Sequence, residues 1–126
     1  MDVSDIPLFA LADRRLAWVD ARQSLLAGNI ANADTPHWQS HDLKPFAAAL
    51  RQAGVQLART DPGHLAPSGV GGAFGAAAVV AEQAPDGNSV AIDKELAKIA
   101  DTDAAHELAM NLSKKYLGLV RTAIGR

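Results

Sequence analysis

The chain has 126 residues, 48% hydrophobic and 21% charged, which suits one small globular unit and is too apolar for a disordered tail. Twelve basic residues against fourteen acidic ones leave a net charge of −2, so there is no electrostatic footprint for nucleic acid. The lack of cysteine removes disulfide scaffolds, thiolate zinc sites, iron–sulfur clusters and cysteine nucleophiles. Alanine contributes 26 residues while aromatics make up only 5%, which favours long, closely approaching helices over a thick core.

At the N-terminus, Asp2 and Asp5 precede the short apolar run Ile6–Ala12. Despite the Ala10-Leu11-Ala12 triplet, this acidic start is not the pattern of a cleaved signal peptide. No segment nears the roughly 18 apolar residues of a membrane span. From Pro7 to Ile30, apolar side chains recur at Phe9, Ala12, Leu16, Val19, Leu26 and Ile30, with Leu8, Leu11, Trp18 and Leu25 widening the stripe. The alternation of threes and fours predicts an amphipathic helix spanning residues 6–32. Ser4 or Asp5 is its expected cap, and Pro7 suits its first turn. Gly28 and the run from Asn29 to Pro36 are expected to end it, because Gly and Asn tolerate left-handed backbone and Pro36 disfavours helix at Thr35.

Residues 33–92 read as a short helix plus an insert. Asp42 is the expected cap of a helix running through Phe46 and Leu50 to about Ala53. Residues 54–92 then hold seven of the ten glycines, three of the six prolines and only four charged side chains. Short β-prone pieces at 55–60, 78–81 and 90–92 predict an irregular, partly flexible segment with a hairpin-like element.

Residues 93–126 predict a second long helix, with Asp93 as its cap and apolar residues at Leu96, Ile99, Met110, Leu117, Val120 and Ile124. Leu108, Leu112, Tyr116 and Leu119 form an adjoining stripe. Acidic residues lie early and Lys114, Lys115, Arg121 and Arg126 lie late, as the helix dipole favours. Gly118 is either a tolerated small residue or a point of close backbone approach. Asp103 and His106 fall on the seam, where they form either a partly exposed polar face or an interhelical hydrogen bond that fixes register.

The fold class expected is mainly α: two long terminal amphipathic helices packed as a coiled-coil-like hairpin around a Gly- and Pro-rich middle. Two such stripes exceed what so small a monomer can bury, so neighbouring copies should complete the core. The residues expected to form that seam are Leu16, Val19, Leu26 and Ile30 against Leu96, Ile99, Met110, Leu112, Leu117 and Val120.

Candidate chemistry is sparse. His37, His41, Asp42 and His64 could be drawn as a metal site, but the prolines at 36 and 45 bracket a turn and no reliable third ligand follows, so they read as solvated loop residues. The glycines of Gly69–Gly75 miss the G-x-G-x-x-G spacing, and no P-loop lysine follows. No serine sits in a G-x-S-x-G elbow. No catalytic residue, cofactor, metal or small-molecule substrate is assigned.

The run Asn29-Ile30-Ala31-Asn32-Ala33-Asp34-Thr35-Pro36, following a long N-terminal amphipathic helix, resembles the signature of the flagellar axial proteins, the rod, hook and hook-associated family. Thr60-Asp61-Pro62-Gly63-His64-Leu65, Asp86-Gly87-Asn88-Ser89-Val90 leading into Asp93-Lys94-Glu95, and Leu112-Ser113-Lys114-Lys115-Tyr116 before Thr122-Ala123-Ile124 are similar to the short proximal-rod members. There is no room for the large inserted domains of hook and distal-rod relatives. One departure stands out: the family usually follows Thr-Pro with Gly-Tyr, and here His37-Trp38 keeps the aromatic while giving up glycine's conformational freedom.

The resemblance implies a structural rod subunit rather than an enzyme, exported through the flagellar type III apparatus without a cleaved signal and located in the periplasmic rod. It implies as partners other copies of the chain, other proximal-rod proteins, and the membrane-ring and export-gate proteins at the rod base. Asn29, Asn32, Thr35 and Pro36 are the motif residues it assigns to assembly. The competing reading is a helical adaptor or chaperone that binds a partner helix without polymerising, and concentration-dependent assembly separates the two.

Overall fold

Helix α1 runs Pro7–Ala31 and helix α3 runs Ile92–Ile124; at 25 and 33 residues they reach about 37 and 50 Å. Between them lie strand β1 (His41–Leu43), helix α2 (Phe46–Ala53) and strand β2 (Ala76–Ala78). The computed structural model describes residues 7–53, 74–79 and 82–125. The expected caps Ser4 and Asp5, the β-prone piece 55–60, the 60–65 motif with His64, and Gly69–Ala73 lie outside the described residues.

The two long helices pack antiparallel. Asn29 near the end of α1 meets Glu95 near the start of α3, and Gln23 Nε2 donates to Asp103 Oδ1 at 3.1 Å. Phe9, Leu11 and Ala12 share an apolar groove of about 260 Å³ with Ala109, Leu112 and Tyr116. Asp103 therefore makes the interhelical bond that was one of its two expected roles.

The face that α3 turns inward corrects the expected leucine seam within the chain. Its buried residues are Glu95, Thr102 and Ala109, spaced seven apart as in a coiled-coil seam. Small side chains let the helix axes approach more closely than leucines would. Thr102 satisfies its hydroxyl by donating to the Lys98 carbonyl at 2.6 Å. Leu96, at 53% exposed, and Leu117, at 36%, lie about a quarter-turn around the helix from that column.

Beside this contact α1 carries a small core of Trp18, Val19, Leu43 and Ala49, flanked by Leu25, Phe46, Phe74 and Ala105 of α3. β1 and β2 pair antiparallel, with His41 opposite Ala78 and Leu43 opposite Ala76. Trp18 anchors this layer: its Nε1 donates to the Lys44 carbonyl at 3.0 Å, and its ring meets Phe46 edge-on at 6.1 Å. The guanidinium groups of Arg15 and Arg22 lie 4.8 and 5.4 Å from the Trp18 ring, within cation–π range.

α1 runs through Gly28 and Asn29 to Ala31, within one residue of the expected bounds, with Asn29 acting through its side chain rather than as a helix breaker. Two other boundaries differ from expectation. α2 is capped by Pro45, whose carbonyl accepts from the Ala48 and Ala49 amides at 2.8 and 3.1 Å; the Asp42 carboxylate is instead held by Arg22. α3 has Ala91 as its N-cap, with no side-chain cap. Asn88 Oδ1 accepts from the Val90 amide and holds Val90 and Ala91 extended, so Asp93 falls inside the first turn and the β-prone piece 90–92 leads straight into helix.

Gly125 closes α3 in a left-handed conformation at φ 78°, its amide bonded to the Arg121 and Thr122 carbonyls, as a C-terminal glycine should. Gly118 is different, because a Cβ added there would meet nothing within 4 Å. Gly118→Ala is therefore expected to stabilise the isolated chain by about 1 kcal/mol, measured by urea unfolding. A loss of stability would mean that a backbone of the same chain approaches this point.

Candidate functional site: the asparagine junction

Asn29 sits where α1, β1 and α3 converge, only 2% exposed. Its Nδ2 donates to the His41 carbonyl at 2.7 Å and to Glu95 Oε2 at 2.8 Å, while its Oδ1 accepts from the His41 amide at 3.2 Å. One amide side chain thus uses both donor hydrogens and its acceptor. It replaces a neighbouring strand for His41 and fixes α3 against α1.

Glu95 is a buried carboxylate, and such a group needs partners. Besides Asn29 it has Lys98, whose Nζ lies 2.8 Å from Oε1 and 3.7 Å from Asp42 Oδ2. Asp42 in turn takes a two-pronged contact from Arg22, Nε to Oδ1 at 2.8 Å and Nη2 to Oδ2 at 2.9 Å. The result is a neutral chain of alternating charges, Arg22, Asp42, Lys98 and Glu95, ending on Asn29 and spanning all three elements.

Burial alone would raise the Asp42 carboxyl, but the Arg22 hydrogen bonds and charge, with the Leu43 amide and Lys98, hold it below its ordinary range. The Asp42 hydrogen bond raises Arg22 further. Since the folded pKa of Asp42 lies below its unfolded value of about 3.9, its contribution is fully present above about pH 4 and is lost as pH falls through the folded value. Asp42→Asn should cost about 1–2 kcal/mol at pH 7 and flatten the acid limb of the stability curve below about pH 4. Urea unfolding across pH checks this; parallel acid limbs for both proteins would contradict it.

The rest of the junction closes the end of α1, where terminal carbonyls lack helical partners. The Asn32 amide bridges the Gly28 and Asn29 carbonyls, its Nδ2 donates to the Gly28 carbonyl at 2.8 Å, and its Oδ1 accepts from the Thr35 hydroxyl at 3.1 Å. Asn88, buried, reaches in from the other segment. Its Nδ2 gathers the carbonyls of Asn32, Ala33 and Thr35 at 3.0, 2.9 and 2.7 Å. Ser89 adds a cross-link, donating its amide to the Trp38 carbonyl and accepting from the Ser40 amide on its Oγ.

His37 resolves the departure noted in the sequence. It adopts φ 61°, the left-handed conformation a glycine would supply, at a cost of about 1 kcal/mol or more. Its amide donates to the Asp86 carbonyl at 3.1 Å. The ring lies against Gly87, where a Cβ would come 2.5 Å from His37 Nδ1. Gly87, itself at φ 80°, is thus required both by its backbone and by lack of room. His41 Nδ1 turns to the Gln39 carbonyl at 2.7 Å. Among the described residues no group of three or more His, Asp or Glu side chains could hold a metal ion, and no helix is long and apolar enough to cross a membrane.

Comparison with known proteins bears on this geometry. No family model matches the chain. It is 31% identical to the flagellar basal body rod protein FlgB of Agrobacterium fabrum strain C58, over 96% of this chain and 95% of that protein. The chain belongs to the FlgB family. The FlgB proteins of Salmonella typhimurium strain LT2, at 33% identity over 82% of this chain and 83% of theirs, and of Escherichia coli K12, at 32% over 79% and 80%, extend the likeness.

In this FlgB-family chain the residues expected to act in assembly fall into two sets. Asn29 and Asn32 lie within the junction, with Thr35 hydrogen-bonded beside them and Pro36 exposed in the following turn. Val19 and Leu26 are buried within the chain, and Leu16, Ile30, Ile99, Met110 and Val120 are half-buried. Leu96 and Leu117 are exposed, and Leu112, also exposed, borders the groove shared with α1. The sequence reading missed the structural roles of Glu95, Asn88, Trp18 and the Arg22–Asp42 pair. The seven-residue phase of Glu95, Thr102 and Ala109 was the available signal for the first of them.

Proposed function

We propose that this FlgB-family chain is a non-enzymatic structural subunit of the flagellar basal-body proximal rod, which polymerises through its terminal helices and passes torque along them. The observation that carries the reading is a helix pair locked at one end by the asparagine junction while α3 keeps Leu96, Leu108, Leu112, Leu117 and Leu119 exposed. Exposed leucines on both flanks of the inward column of a rigid helix are a surface for other chains. A head-to-tail contact that does not close would give an open helical assembly. On this reading the partners are further copies, other proximal-rod proteins, and the ring and export-gate proteins at the rod base, with no role for nucleic acid or a small-molecule substrate. The site of action is the periplasmic rod, reached by flagellar export without a cleaved signal.

Deleting the gene should abolish swimming, and supplying the chain in trans should restore it. Full motility without the protein, or a soluble monomer at all concentrations that captures one partner helix, would favour the adaptor reading instead.

A further inference from the structure

The layer that packs on one face of the helix pair stops short of its open end. Trp18 of α1 and Ala105 of α3 share a core with Leu43, Phe46 and Phe74, and by helical periodicity Leu11 and Arg15 of α1 and Leu112 of α3 continue the same face away from the junction. Past Phe46 that face becomes the apolar groove of about 260 Å³ between the two helices. Among the described residues nothing covers it, and Leu8, Leu11, Leu112 and Tyr116 are exposed along it.

Charge changes along the same axis. Among the described residues the open end, 7–17 with 108–125, carries Arg14, Arg15, Lys114, Lys115 and Arg121 against Asp13 alone. Counting Asp2, Asp5 and Arg126 from the sequence still leaves six bases against three acids. The junction half, 18–31 with 92–107, has Asp20, Asp93, Glu95, Asp101, Asp103 and Glu107 against Arg22, Lys94 and Lys98. Two of the cations border the groove. The Arg15 guanidinium is held 4.8 and 4.9 Å from the Trp18 and Phe46 rings, and Lys115, exposed, stands three residues from Leu112 on the same flank. Among the described residues neither has an ion pair, and no acid lines the groove.

We propose that the groove seats an acidic amphipathic helix of a different protein, whose apolar side chains, three and four residues apart, enter between α1 and α3 while its carboxylates meet Arg15 and Lys115. A cleft between two antiparallel helices that continues an interior layer has the shape for a third helix, and the rim cations select its charge. A like-oriented second copy would bring its own cationic end alongside. Residues 54–73 carry one acid, Asp61, offset by Arg59. An anionic bilayer would match the charge but presents a flat surface to a concave site. The proposal rests on the rod-subunit reading and adds to it the place and chemistry of one partner.

Purified basal bodies treated with a water-soluble carbodiimide test it on the unaltered protein, since the reagent joins an amine to a carboxylate in contact with it as an amide, with loss of water. Lys115 should couple to an Asp or Glu of a different protein, within a peptide of net negative charge that has apolar residues three and four apart. Lys115→Glu, checked for native helicity, should weaken binding of that identified protein to the purified chain about tenfold, and an Asp→Lys or Glu→Lys change at the coupled carboxylate should restore it. No coupling at Lys115, coupling only to acids of this chain, or no restoration overturns the proposal. If coupling is absent while the chain binds phosphatidylglycerol vesicles and Lys115→Glu does not, the groove belongs to a membrane and the proposal is likewise overturned. The rod reading is judged separately by whether the chain is found in the basal bodies: presence there without coupling retires the partner alone.

Discussion

Asn29→Asp is expected to open the junction although it changes one atom. The substitution removes the amide donor that α1 gives Glu95 and places a second carboxylate 2.8 Å from the first, at a site where both residues are 2% exposed. It also removes the donor to the His41 carbonyl. An uncompensated buried charge costs about 3–5 kcal/mol, a large share of the roughly 5–15 kcal/mol that stabilises a typical domain. The few fully buried apolar side chains here have little capacity to absorb such a loss. Urea unfolding followed by circular dichroism should show the drop. Adding Glu95→Gln should recover at least about 1 kcal/mol, because the new amide can donate to the introduced carboxylate. A single variant within 1 kcal/mol of the parent would show that the junction does not hold the helices.

Leu96→Asp and Leu117→Asp should have the opposite signature: little change in the fold and loss of the assembly. Leu96 is 53% exposed and Leu117 36%, so neither substitution empties the intrachain seam. In an assembled rod each would place an unpaired charge in an apolar contact, at a cost of several kcal/mol. Cells carrying either variant should fail to swim while the protein still accumulates in the periplasmic fraction. Normal swimming in both would show that this face of α3 stays in solvent.

The long helices were legible because a three–four apolar alternation repeated over 25 and 33 residues has few other solutions. The choice of inward face was not. Periodicity weights large apolar residues and points to Leu96 and Leu117, whereas the chain turns in Glu95, Thr102 and Ala109. That preference depends on close helix approach and on Asn29, 66 residues away, neither of which shows in a local window. Asp42 failed for a related reason: its position before α2 suggested a cap, but Arg22, 20 residues earlier, takes the carboxylate. The Asn29–Pro36 run was recognisable as a motif, yet its physical content depended on Asn88 arriving from a distant segment to satisfy three carbonyls. His37 shows that a histidine can hold the turn's left-handed geometry.

On the proposed reading this chain is built into the rod through the exposed leucines of α3. A side-chain-resolution map of the rod in purified basal bodies tests it most directly. Density for this chain is expected, with the Asn29–Glu95 junction intact and Leu96, Leu112 and Leu117 covered by a neighbouring rod subunit. A rod that lacks the chain, or one in which those three leucines face open solvent, would contradict it.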